Sequence, residues 1–204
     1  MTAVNYFKKY SLWTLVLVGM VVYGCGDEVV PPDENPPETI TDVKLIFTNV
    51  NDATDVVEAR AEDPDGEGVE ELKILDEINL GAGKTYTLTY EVLNSLVTPA
   101  EDIGAEIAEE DDEHQLFFSF TEGAFSDPTG NGNIDNASDP INYNDADGNG
   151  NPVGLSTNWT TSATAVSGAS FTAKLQHQPD EKTATSTATT GDTDFDLTFV
   201  LNIQ

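Results

Sequence analysis

From residue 41 onward the chain carries a two-residue hydrophobic period, and this period constrains the fold more than anything else in the sequence. Thr41, Val43, Leu45 and Phe47 alternate with Asp42, Lys44 and Thr48. Val57, Ala59 and Ala61 alternate with Glu58, Arg60 and Glu62. Tyr86, Leu88, Tyr90 and Val92 continue the pattern, followed by Leu116, Phe118 and Phe120, and then Phe171, Ala173 and Leu175. Phe195, Leu197, Phe199, Leu201 and Ile203 alternate with Asp194, Asp196, Thr198, Val200 and Asn202. Side chains alternate faces along a strand, so each run reads as a strand buried on one side. Leu72–Leu80 and Gly154–Thr161 read as two more. About eight short strands separated by Gly, Asp and Asn clusters predict an all-β fold, an antiparallel, Ig-like β-sandwich.

One stretch departs from the period. Between Pro99 and Asp112, Ile103 and Ile107 stand four apart among acidic residues, which predicts one short acidic helix with a solvated face. Trp159 is the one tryptophan of the predicted domain and reads as core.

The residues before 41 read as an address and a tether. Residues 1–24 contain Lys8 and Lys9, no acid, and an apolar run from Leu12 to Tyr23. That is the layout of a secretory signal, and the run is shorter than the roughly 20 apolar residues a spanning helix needs. Val21-Val22-Tyr23-Gly24-Cys25 resembles the lipobox of bacterial lipoproteins, in which the cysteine is lipidated and becomes the mature N-terminus. Residues 25–40 hold four prolines and a run of acids, a composition that favours an extended spacer. Gly26-Asp27-Glu28 resembles the acidic surface-export signal of Bacteroidota lipoproteins. The expected organisation is a lipoprotein signal peptide (1–24), a lipid-anchored tether (25–40) and a β-sandwich domain (41–204). The expected location is the outer membrane, lipid-anchored, on the cell surface.

Past residue 24 there remain six basic residues against 37 acids, a formal charge of −31. Such a surface repels nucleic acid and anionic lipid headgroups, so the membrane is reached only through a lipidated Cys25. With a single cysteine in the chain, no internal disulfide is available.

Several blocks together resemble a known family. They are Asp63-Pro-Asp-Gly66, Leu80–Tyr90, Glu113-His114-Gln115, the run from Asp145 to Leu155, His177-Gln-Pro-Asp180 and Gly191-Asp-Thr-Asp194. Across nearly all of residues 40–204 the chain resembles a family of Bacteroidota surface lipoproteins of unknown function. Some of its members are labelled as having a type 1 periplasmic-binding fold. That fold alternates strands with helices around parallel sheets, and this chain has almost no helical periodicity.

Two acidic glycine loops carry a calcium-like spacing. Asp127, Thr129, Asn131, Asn133 and Asp135 occupy alternate positions of one, with glycine at its sixth position. Asp145, Asp147 and Asn149 repeat the spacing in the second, and Asp63–Gly68 is a weaker third copy. An EF-hand is excluded, because Ser138 stands where the bidentate glutamate belongs. Calcium stabilisation and simple turn formation both fit these loops.

Catalytic signals are sparse. The chain has two histidines, His114 and His177, no Gly-x-Ser-x-Gly and no cysteine nucleophile, so the expectation is a protein that is not an enzyme. The first functional reading is a non-catalytic binding or structural module, with a glycan or another envelope protein as partner. The alternative is a metal or haem acquisition lipoprotein using His114 and His177. If Phe120 faces Phe171 across antiparallel strands, the paired positions sum to 291, and 114 with 177 gives the same sum. Both imidazoles then point to the core at one end of the sandwich, close enough to share a zinc or copper ion. Asp112, Glu113, Asp180 and Glu181 are the neighbouring oxygen donors in sequence. The competing reading is that each histidine closes the core and bonds a loop backbone.

Overall fold

A computed structural model describes residues 38–63, 65 and 71–204. Cys25, the signal segment, the tether up to residue 37 and most of the Asp63–Gly68 loop lie outside the described residues. The strands are β1 (Asp42–Asn49), β2 (Asp52–Glu62), β3 (Lys73–Ile74), β4 (Ile78–Leu80), β5 (Thr85–Asn94) and β6 (Glu101–Asp102). Helix α1 (Ile103–Glu109) follows, then β7 (His114–Phe120), β8 (Phe125–Asp127), β9 (Asn142–Tyr143), β10 (Thr157–Thr161), β11 (Val166–His177) and β12 (Asp192–Ile203).

These strands form two sheets. One runs β3-β2-β1-β5-β10-β8, with β6 on β5 and β9 on β10. The other runs β4-β12-β11-β7. Every pairing is antiparallel except β4 on β12, which is parallel. The sheets pack through their alternating faces. Phe47 of β1 meets Phe171 of β11 edge to face at 5.7 Å, and Trp159 of β10 packs against Phe118, Phe120, Phe125 and Phe171 at 4.9–5.5 Å. Edge-to-face rings at these distances add stabilisation beyond their area. The chain is therefore an all-β sandwich, with Trp159 fully buried at its centre.

Local details depart from the sequence pattern where side-chain periodicity gives little signal. Leu72–Leu80 is not one strand but two short ones, β3 and β4, which join different sheets. β6, β8 and β9 have two or three residues each, too few to show an alternation. The helix is shorter than its acidic stretch. It is capped by the Asp102 carboxylate, which accepts from Ala105 N at 3.1 Å, and it buries Ile103 and Ile107. Phe47, Leu88, Phe118, Phe120, Phe171, Leu197 and Phe199 are buried, while Tyr90 is half-buried. The end of the predicted tether belongs to the domain: Ile40 joins the core, and the Glu38 side chain is 8% exposed.

Residues 128–156 cover the outer edge of β7, which would otherwise present unpaired backbone. Phe120 N donates to Asn131 O, Asn133 N to Phe118 O and Leu116 N to Val153 O, at 2.7–2.8 Å. Gly132 crosses so close that a Cβ there would lie 2.2 Å from Phe118 O, at a φ of +96° that suits glycine.

Candidate functional site

The site forms where β7 begins and β11 ends. The β7–β11 register places Phe120 opposite Phe171 and His114 opposite His177. Both histidines face the core side and are 0% and 1% exposed. Helix α1 delivers the first of them, because its last turn ends at Glu110 and Glu113 N returns to Glu110 O. His114 Nδ1 lies 3.2 Å from that same Glu110 carbonyl. A carbonyl only accepts, so Nδ1 carries the proton, and Nε2 of the neutral ring presents a lone pair.

What faces Nε2 is negative. Glu38 Oε1 stands 3.2 Å away and Asp194 Oδ2 3.7 Å away. Neither contact is an aligned hydrogen bond: Nε2, Glu38 Oε2 and both Asp194 oxygens are buried without a hydrogen-bond partner. The Asp194 side chain is 0% exposed. Unpartnered buried polar groups are uncommon and costly, more so when charged.

Asp194 reaches this position through a bulge. Leu175 pairs with Phe195 and Gln176 pairs with Thr193, which leaves Asp194 as the extra residue of β12. A bulge turns a side chain away from its expected face. Strict alternation puts Asp194 with the outward-facing Asp196 and Thr198, and the bulge turns it inward. Gly191, just upstream, passes against β11, where a Cβ would fall 2.0 Å from His177 O.

The charges shape one another. Burial pushes the Asp194 carboxyl up to about 8, with the Glu38 charge adding to the rise and His114 opposing it. Burial also acts to raise Glu38, but the His114 ring beside it outweighs this and holds its carboxyl below the ordinary value. Burial disfavours the His114 imidazolium, yet Glu38 and then Asp194 raise its pKa above the usual histidine value. Ligating atoms of Glu38, Glu110, His114 and His177 all lie within 4.8 Å of one another.

The two imidazoles are together but stacked. Their ring planes are 6° from parallel, with centroids 4.7 Å apart. An imidazole lone pair lies in its ring plane, and parallel planes do not meet. In these rotamers an ion in the plane of His114 is out of the plane of His177, so the pair does not converge on one shared ion. His177 Nε2 instead stands 3.5 Å from Glu113 Oε2. Of the oxygen donors adjacent in sequence, Glu113 is thus beside an imidazole and Glu110 comes from the end of α1 just before His114, while Glu38 and Asp194 come from a spacer and a bulge that carry no periodic signal.

The acidic loops are built differently. Both Asp145 oxygens accept backbone N–H groups, from Gly154 at 2.8 Å and Ser156 at 3.0 Å. Asp147 accepts from Asn149 N, Asn151 N and the Asn151 amide at 2.8–3.0 Å, and Lys182 Nζ lies 3.5 Å away. Burial works to raise Asp147, but these donors and Lys182 hold its carboxyl below the ordinary value. Asn149 is exposed. In the other loop Asp127, Thr129, Asn131 and Asp135 are exposed, and the Asn131 amide donates to Asp135. Asn133 points inward instead: its carbonyl oxygen accepts from Phe118 N and its amide donates to Tyr143 Oη. These are the hydrogen bonds of turns and of an edge cover.

Comparison with family models, with curated proteins and with solved structures finds no match for this chain.

Proposed function

We propose that this chain is a lipid-anchored outer-membrane lipoprotein that displays a non-catalytic β-sandwich module at the cell surface. The observation that carries the non-catalytic part is the burial of the histidines. Among the described residues, the cluster that joins both imidazoles to the most strongly perturbed carboxyl is closed, with His114 and His177 0% and 1% exposed. A general acid or base must come within about 2.6–3.2 Å of a substrate proton, and no substrate reaches these groups in this state. The anchor rests on Cys25 and its flanks, and the acidic surface leaves a glycan or another envelope protein as the partner class. Protease shaving of intact cells tests this reading. The wild-type domain should be cleaved from the surface, and the Cys25→Ser chain should remain uncleaved by the lipoprotein peptidase and carry no acyl chain. A domain that resists shaving while its lipid is in place would move it to the periplasmic face.

A second reading, metal acquisition at His114 and His177, is favoured by their direct cross-strand pairing, with the stacked rings set against one ion shared by both. Rings stacked at 4.7 Å leave no slot between them for a planar macrocycle, which narrows this reading from haem to a bare ion. Calcium at the acidic loops is the weaker cation reading, since the oxygens of Asp145 and Asp147 already accept N–H donors.

A further inference from the structure

A buried carboxylate is normally matched by a cation or by several N–H donors. At the mouth of β7 the match is incomplete. Asp194 has neither oxygen bonded, Glu38 has one oxygen unbonded, and His114 Nε2 has no aligned partner. His114 is also oriented as metal-binding histidines are, with its Nδ1 proton on a backbone carbonyl and Nε2 directed inward.

The separations have the scale of a coordination sphere. Two ligand atoms each about 2.0–2.1 Å from one ion lie about 3.3 Å apart at a tetrahedral angle. His114 Nε2 lies 3.2 Å from Glu38 Oε1 and 3.7 Å from Asp194 Oδ2. Contacts at this range that fail as hydrogen bonds are what ligands look like around a common centre.

We propose that His114 Nε2, Glu38 and Asp194 form a binding site for one divalent first-row transition metal ion of the zinc class, with Glu110 placed to supply a fourth donor. Imidazole with carboxylates suits zinc, manganese or iron(II) rather than the softer ions that thiolates select. A dication balances the ionised Glu38 and Asp194 carboxylates and gives His114 Nε2 and an Asp194 oxygen the partner they lack. His177 is not a ligand here. It stacks on His114 and fixes its plane, with Glu113 beside it in turn. The proposal deepens the metal reading above by replacing a shared pair of histidines with one histidine and two carboxylates. It is independent of the anchoring reading.

The test uses the full chain carrying Cys25→Ser, purified in detergent, stripped with a chelator and titrated with zinc by calorimetry. X-ray absorption at the zinc edge is recorded on the loaded protein. One zinc should bind per chain, with one imidazole in its coordination sphere. Asp194→Asn and Glu38→Gln should each weaken binding more than about 100-fold, beyond the roughly 10–100-fold effect of an outer hydrogen-bonding partner. His177→Phe keeps a ring on the stack and should stay within about 10-fold of the parent. Two imidazoles in the spectrum, or His177→Phe abolishing binding while Asp194→Asn retains it, would overturn this site and restore the shared-histidine reading. No zinc bound to folded protein would end both metal readings and leave the cluster held by protons. The absorption measurement needs no variant, so misfolding of a mutant cannot mask the result.

Discussion

Two carboxylates buried in the same domain show opposite solutions. Asp147 sits in a glycine-rich loop that turns two backbone N–H groups and the Asn151 side-chain amide onto it, and Lys182 approaches as counterion. Asp194 sits on a strand, where the ladder already uses the neighbouring N–H groups, and a bulge turns it into the core with no donor at either oxygen. One carboxyl is held below its ordinary value and the other is pushed up to about 8. The acid-rich loop, which looks like the binding site in sequence, satisfies itself. The single strand aspartate, which looks like a solvent-facing residue, is the one left needing a partner.

The contrast can be broken by substitution. Asp147→Ala should show the largest effect, a loss of about 3–5 kcal/mol in urea unfolding, because it removes the carboxylate beside the buried Lys182 and leaves its Nζ on the neutral Asp111 carbonyl. The milder Asp147→Asn should also flatten the acid limb of the stability curve. A carboxyl whose folded pKa is lowered contributes stability above its unfolded value and loses it as pH falls through the folded one, here from about pH 4 downward. An unchanged acid limb would show that the loop donors do not discriminate between the charged and neutral forms. Asp194→Asn should act in the opposite direction. In chelated protein at neutral pH it should stabilise by about 1–3 kcal/mol, since the folded state no longer has to take up the proton that a carboxyl pushed up to about 8 carries there, and the amide can donate to Glu38 in its place. With zinc present the sign should reverse. A loss in chelated protein would mean that Asp194 already has a partner. The smallest effect is expected at Tyr90, whose hydroxyl is buried without a partner and whose pKa burial pushes well up. Tyr90→Phe should be neutral or stabilising by up to about 1 kcal/mol, and a clear loss in melting temperature would reveal a bond to that hydroxyl.

Much of the fold was legible because strands buried on one face advertise themselves. The alternation located β1, β2, β5, β7, β10, β11 and β12, and the Phe120–Phe171 register carried His114 to His177. The rest depended on features with no period. Strands of two residues have none, and β3 and β4 separate into different sheets inside one apolar run. A bulge changes the face of a single residue without altering the composition around it, so alternation alone places Asp194 outward. Glu38 follows a proline-rich spacer and shares its composition, although Ile40 nearby marks where burial begins. The histidine pair was readable from position, but ring orientation was not. Stacking against convergence is decided by rotamers, which pairing alone does not fix.

Glu38 lies four residues before the first strand, on the side from which a membrane tether would pull. Beyond it, β1 runs through the middle of its sheet, paired along its length with β2 on one side and β5 on the other. The ladder bonds of antiparallel strands lie across the strand axis, so tension along β1 loads them together, in shear. The contacts of Glu38 stand upstream of that joint and take the strain first. Mechanically, the acidic cluster is a soft catch in series with a stiff joint: were the chain anchored upstream, a pull from that side would load the cluster before the sandwich behind it.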